Sequence, residues 1–230
     1  MAEVYAVVAA AGQSSRMAGA DKQMLSLGGV PVLARSLRAL ESVPQVEGIV
    51  LSAHPDRVAW FRDAVAEWDL KKIKAVVPGG IDRQQSVFLG LLAVPFDCRL
   101  VIVHDGARPL VSQAEIMDLM AAAADFGAAT LAVPVKDTVK VADGEGFVAG
   151  TPERQKLWLT QTPQGFSFPV LLEAHRRAAA RGERYTDDAS LLEACGRRVK
   201  IVQGSYRNIK ITTPEDVLIA EALLRAGIRD

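Results

Sequence analysis

Short apolar runs alternate with stretches of helical spacing along this chain. Val4–Ala9 is apolar throughout and reads as a strand buried on both faces. Val32–Leu40 carries Leu33, Leu37 and Leu40 at helical intervals, after a proline, Pro31, suited to a first turn. The same logic predicts strands at Gly48–Ser52, Ile73–Val77, Leu100–Val103 and Ala128–Val133. Between them it predicts helices at Asp56–Trp68, from about Asp82 to Leu92, and at Gln113–Asp125. Strands separated by helices imply an α/β fold, with a doubly wound, mostly parallel sheet and right-handed crossovers. Ligands of such sheets bind beyond the C-terminal strand ends. The polar loops after Ala11, Val77 and Val103 are therefore expected to meet in one crevice.

The rhythm breaks over 136–158. The alternating segment from Val139 to Val148, with Asp143-Gly144 as a turn, predicts a β-hairpin. It holds few core residues, and an exposed hairpin is rarely stable alone. Two readings stand: an arm that packs on a second subunit, or a solvated loop. Helices then follow at Phe168–Arg181 and Asp188–Ala194, a strand at Val199–Val202 and a last helix from Pro214. With no repeat and no low-complexity linker, residues 1–230 are read as a single domain.

Composition narrows the possible partners. Half of the 230 residues are hydrophobic, enough for a sizeable core, and 27 basic residues balance 27 acidic ones. A nucleic-acid or anionic-membrane surface would show as a basic excess, so neither partner is expected. The apolar start follows Glu3 and enters a polar loop, unlike a signal peptide. No apolar run approaches the roughly 20 residues of a membrane helix. Cys98 and Cys195 make no metal or redox spacing. A reducing, cytoplasmic setting is expected.

An anionic substrate must then meet local cations, and three stretches offer them. The first runs from Ala9 through Ala10, Ala11, Gly12 and Gln13 to Met17, and on to Lys22-Gln23. Small residues after a strand let backbone N–H groups approach a phosphate. Both the dinucleotide fingerprint and the P-loop signature are absent, Ser14 standing where a second glycine would be. Arg16 brings a planar fork and Lys22 a point charge. The second stretch, Pro78-Gly79-Gly80-Ile81-Asp82-Arg83-Gln84-Gln85-Ser86, joins a glycine pair to a helix start, which a plain loop explains almost as well. The third is His104-Asp105-Gly106-Ala107-Arg108-Pro109. A carboxylate ending a buried strand needs a partner. Asp105 either holds Mg²⁺ against phosphate oxygens or pairs with Arg108. His104 is assigned no role. Thr138, Arg154, Thr162-Pro163-Gln164, Tyr185 to Asp188, and Asn208 to Thr212 read only as polar loop clusters.

Taken in order, AAAGQSSRM, KQ, GGIDRQQSV, VHDGARP, PVKDTVK, LWLTQTPQ, YTDDAS and NIKITTPED resemble the methylerythritol phosphate cytidylyltransferases of isoprenoid precursor synthesis, over nearly the whole chain. The resemblance implies a Rossmann-like nucleotidyltransferase fold and a homodimer with an exchanged β-arm. It implies transfer of the cytidylyl group of CTP to a polyol phosphate, with pyrophosphate released. Arg16 and Lys22 would stabilise the transition state. Lys210, and Arg154 from the partner's arm, would position the substrate phosphate. Ala10, Ala11, Gly12, Gly80 and Ser86 would hold CTP, with Arg83 in the same segment among the substrate-binding residues. Asp105, Arg108, Thr138, Thr162, Thr186 and Asp187 would line the site. Ribitol 5-phosphate in place of methylerythritol phosphate, or CTP binding without turnover, are the alternatives. The chain departs from the family pattern at Ala9, Ser14, Asp21 and Gly106.

Overall fold

A central strand without polar surface has to be covered on both faces, and this sheet is. The computed structural model describes residues 4–12 and 23–226. From β1 (Val4–Ala10) the chain passes through a small hairpin, β2 (Ser26–Leu27) and β3 (Val30–Pro31), into α1 (Val32–Glu41). Then follow β4 (Val46–Ala53), α2 (Val58–Glu67), β5 (Ile73–Pro78), α3 (Arg83–Leu91), β6 (Leu100–Asp105), α4 (Gln113–Phe126) and β7 (Ala128–Pro134). The second half holds β8 (Val141–Ala142), β9 (Val148–Gly150), β10 (Trp158–Ser167), α5 (Phe168–Arg181), α6 (Asp188–Ala194), β11 (Lys200–Gln203) and α7 (Pro214–Arg225).

Seven strands form the main sheet in the order β11-β7-β10-β6-β1-β4-β5. Every pairing is parallel except those of β10, which runs against both β6 and β7. Alternate side chains serve two cores. Ala6, Val8 and Ile102 face Leu33 and Leu37 of α1, Phe61 of α2 and Ile116 of α4. Val7, Val101 and Val103 face Val87 and Leu91 of α3, Leu171 of α5 and Leu191 of α6. Helix ends are fixed locally: Ser112 and Glu115 form a capping box on α4, and Gly127 closes that helix with φ +80°.

The expected mostly parallel α/β sheet is what the chain forms, with boundaries within a few residues of the sequence reading. One element differs in kind. Thr162-Pro163-Gln164, read as a polar loop, lies inside β10, a ten-residue strand buried from Gln161 to Phe166. Its polar residues hid it, because a strand buried on both faces is recognised by apolar content. The pairing of β10 with β7 shifts between Thr160 and Gln164, and the Thr162–Pro163 peptide is cis. In the 136–158 segment β8 and β9 pair antiparallel, and Val141, Phe147 and Val148 are exposed.

Candidate active site

The topological switch fixes where the site lies. The chain moves from β1 outward to β4 and β5, then returns to the other side of β1 as β6. Register aligns the strand ends: Ala9 pairs with both Ser52 and Asp105, and Ala53 with Pro78. The loops beyond them bound a cleft of about 780 Å³, lined among others by Ala11, Gly12, Gly80, Arg83 and Ser86. A second cleft of about 470 Å³ opens between β10, α6 and the loop before α7, lined among others by Arg108, Thr162, Thr186 and Asp187. Arg83, Asp105 and Lys210 line both. Two compartments thus meet at one carboxylate and two cations.

The first cleft is shaped by close backbone approach. A Cβ on Gly79 would meet the Ala11 Cβ at 2.2 Å, so only glycine lets these two loops touch. Ser86 donates to the Asp82 carbonyl at 2.7 Å and accepts from the Gly80 N–H at 3.0 Å, which fixes the glycine segment. Asp82 caps α3 by accepting from the Gln85 N–H. Gln23 donates its side-chain amide to the Ala10 carbonyl, closing the near wall. A Cβ on Gly106 would meet the Leu33 Cδ1 at 2.8 Å, which accounts for glycine at that departure from the family pattern.

Asp105 is the hub between the clefts. Its Oδ1 accepts from Arg83 Nε at 3.0 Å, its Oδ2 pairs with Lys210 Nζ at 2.7 Å, and Arg108 Nε stands 3.9 Å from Oδ2. Burial would raise its pKa, but Arg83, Lys210 and Arg108 hold it far below the usual carboxylate range. Both oxygens of Asp105 are engaged by cations, so the expected Mg²⁺ ligand is an ion-pair hub, and a directly bound cation would have to displace one of them. Among the described residues no group of three His, Cys, Asp or Glu side chains gathers to hold a metal. The residues do not fit a protein-held Mg²⁺.

Lys210 is placed by its neighbours. The buried Asn208 donates to the Thr162 carbonyl at 2.8 Å and accepts from Arg108 Nη1 at 2.6 Å through its own carbonyl. The Ile211 N–H donates to the Ala107 carbonyl at 2.8 Å. With both flanks pinned, the lysine has little freedom besides its own rotamers. Arg83 Nη2 and Arg108 Nε are buried donors without a hydrogen-bond partner among the described residues. Such a donor costs about 1–3 kcal/mol unless an acceptor arrives, and a phosphate oxygen has the charge and geometry to be one.

His104, fully buried, braces the hub. The Asp105 N–H donates to Thr162 Oγ1 at 3.0 Å, and the Thr162 hydroxyl lies 3.1 Å from His104 Nδ1. The Arg108 carbonyl, 3.1 Å from Nε2, can only accept, so neutral His104 carries its proton on Nε2 and its Nδ1 accepts from the Thr162 hydroxyl. Burial holds its pKa down at about 4 against an ordinary 6.5, the nearby Asp105 charge and the Arg108 carbonyl only partly opposing it. The unfolded chain therefore takes up this proton first as pH falls. Stability should drop by on the order of 3 kcal/mol between about pH 6.5 and 4. Urea midpoints measured across that window test it, and a His104→Gln variant with the same slope would count against the assignment. The Asp105 contribution, from a depressed carboxylate, is lost only at lower pH.

Two expected residues do not join the clefts within one chain. Thr138 and Arg154 are exposed and line neither, and Arg154 donates to the Lys136 carbonyl at 2.8 Å. Asp187 lines the second cleft, but it spends its oxygens on the Ser190 N–H and the Gln164 side chain, as the cap of α6. Arg16 and Lys22 lie outside the described residues. Sequence reasoning missed Gln164 and Asp188. Gln164 donates to Thr130 and Asp187 and accepts from the Asp188 and Ala189 N–H groups, which ties β10 to α6. The only trace of Asp188 in the sequence was its place beside Asp187.

The family model described as 2-C-methyl-D-erythritol 4-phosphate cytidylyltransferase matches residues 4–226. A protein of that name from Pelotomaculum thermopropionicum is 53% identical over 228 residues, covering 98% of this chain and 96% of that one. The crystal structure of 4-diphosphocytidyl-2C-methyl-D-erythritol synthase from Anaerococcus prevotii superposes with a TM-score of 0.86 at 33% identity, over 96% of both chains. The crystal structure of the cytidylyltransferase from Thermus thermophilus superposes with a TM-score of 0.78 at 34% identity, over 97% of this chain and 99% of that one.

Proposed function

The chain belongs to the 2-C-methyl-D-erythritol 4-phosphate cytidylyltransferase family, and from that premise we propose how its residues share the work. The enzyme transfers the cytidylyl group of CTP to 2-C-methyl-D-erythritol 4-phosphate, in the methylerythritol phosphate route to isoprenoids. A substrate phosphate oxygen bonds to the α-phosphorus as the bond to the bridging oxygen breaks, and pyrophosphate leaves with that oxygen. The attacking phosphate is already a nucleophile at neutral pH, so the site needs no general base. Charge repulsion between two anions dominates the barrier, and positioned cations lower it.

CTP fits the larger cleft, with its base against the Gly79-Gly80 segment and its triphosphate toward the first loop. The polyol phosphate fits the smaller cleft. The observation that carries this division is the shared boundary of Arg83, Asp105 and Lys210, with buried donors on Arg83 and Arg108 that have no hydrogen-bond partner among the described residues. Arg16 and Lys22 supply charge to the α-phosphate. Mg²⁺ enters as part of the nucleotide substrate, its ligands phosphate oxygens rather than Asp105. Arg154 and Thr138 reach a site from the partner subunit, through the 136–158 arm of a homodimer whose exposed Val141, Phe147 and Val148 the partner covers. Among the described residues no helix is long and apolar enough to cross a membrane. Two cysteines without the spacing of a disulfide framework suit the reducing cytoplasm.

Pyrophosphate release with four nucleoside triphosphates and two polyol phosphates tests the assignment. CTP with methylerythritol phosphate should exceed UTP, or ribitol 5-phosphate, by at least about 10²-fold in kcat/KM, because a mismatched partner leaves buried polar groups unpaired. Equal rates with ribitol 5-phosphate would overturn the choice of polyol. CTP binding without turnover would overturn the enzyme.

A further inference from the structure

Behind the shared boundary lies a chain of polar contacts that the reaction as described does not use. His175 on α5 and Asp188 at the start of α6 are each about 1% exposed. His175 Nε2 lies 2.9 Å from Asp188 Oδ1, and Asp188 Oδ2 accepts from Arg83 Nη1 at 2.7 Å. Arg83 Nε donates in turn to Asp105 Oδ1 at 3.0 Å. Burial would raise the pKa of Asp188, but Arg83, then His175, holds it down at about 2. A carboxylate only accepts, so the facing Nε2 of His175 is the protonated nitrogen and donates. The imidazole stacks on Phe88 of α3 with centroids 5.9 Å apart and planes 4° from parallel, which sets its tilt.

Arg83 is the first residue of α3 and lines both clefts. A surface arginine samples many rotamers, whereas this one is held at two corners of its fork by carboxylates on opposite flanks. Its third corner, Nη2, is a buried donor with no hydrogen-bond partner among the described residues. Burial opposes the charge, yet Asp188 and Asp105 together raise the pKa of Arg83, so it stays a cation throughout. Stability alone explains this arrangement poorly. Desolvating a buried ion pair is expensive, and apolar side chains of similar volume often serve the fold as well or better. What the polar chain adds is a fixed orientation for one guanidinium.

We propose that His175 and Asp188 are positioning residues for the transfer reaction. The His175 N–H fixes the Asp188 carboxylate, and Asp188 fixes Arg83 where the two substrates meet. The inference rests on the cytidylyltransferase reading and adds to it two residues that touch neither substrate.

The test is a set of double-mutant cycles on kcat and KM, read by pyrophosphate release from CTP and methylerythritol phosphate. Asp188→Asn and His175→Leu are each made alone and in an Arg83→Ala background, with His175→Gln as the variant that keeps a donor. Alone, Asp188→Asn and His175→Leu should lower kcat/KM by at least about tenfold, with His175→Gln recovering most of the loss. In the Arg83→Ala background the same changes should cost less than about twofold, because the group they act through is gone. Equal fold-losses in both backgrounds, or a glutamine variant no better than leucine, would overturn the positioning role. So would losses that merely follow the fall in thermal midpoint. If His175→Leu does not fold, the asparagine and glutamine variants decide alone. A wild-type enzyme that releases no pyrophosphate would fail the reaction itself, an outcome separate from equal losses in an active one.

Discussion

Lys22→Ala is expected to lower kcat by about 10²–10³, with a much smaller change in KM for CTP. The attacking phosphate and the triphosphate are both anionic, so the barrier is largest where they approach. A cation at the α-phosphate contributes most once the five-coordinate arrangement has formed and charge has built up on its equatorial oxygens. Binding energy expressed only there appears in kcat. In the family pattern Lys22, which follows β1 in the sequence, is one of two cations assigned to that task, with Arg16. Steady-state kinetics with CTP varied at saturating polyol phosphate give both constants. If kcat holds and KM alone rises, Lys22 is a ground-state ligand and the assignment falls.

Mixing two dead variants should restore activity. Lys22→Ala and Arg154→Ala each disable every site in their own homodimers, but if Arg154 serves the neighbouring subunit a mixed dimer differs. After dissociation and reassociation of equal amounts, about half the dimers are mixed. In a mixed dimer one site carries both lesions and the other carries neither, so about a quarter of all sites recover. The expectation is supported by Arg154 lying outside both clefts in its own chain, bonded to Lys136, and by the exposed apolar residues of the β8–β9 hairpin. A mixture as inactive as its parents, with subunit exchange demonstrated by mass-tagged chains, places Arg154 in its own subunit. A monomer in sedimentation has the same force.

The parts of the fold that depend on local pattern were legible from the sequence. Strands β1 and β6 are apolar because neighbouring strands and helices cover both faces, and α5 and α6 lie where the sequence placed helices. β10 was not legible, since Thr162 and Gln164 are buried polar residues whose partners lie far along the chain: His104 and Asp105 for one, Thr130, Asp187 and Asp188 for the other. Long-range satisfaction leaves no periodic trace. The site was legible in its loops, because glycine pairs and cations after strands have a stated physical use. It was illegible in its couplings. Spacing offered Asp105 a neighbour at Arg108, but only the folded chain brings Arg83 and Lys210 to the same carboxylate and sets Asp188 behind them.

The reversed direction of β10 decides where the 136–158 segment is anchored. β7 ends at Pro134 on the edge of the sheet where the clefts open, and β10 starts from that edge, Trp158 paired with Pro134. Had β10 run parallel to its neighbours, the connection would have crossed to the far edge before re-entering the sheet. Instead the segment leaves and returns beside the clefts, its two feet one strand spacing apart. Whatever grips it is thereby delivered to the rim where the substrates enter. With the segment serving as the proposed dimer arm, a ligand wedged under its base would act on assembly and turnover together, so inhibitors directed there should be sought by screening both at once.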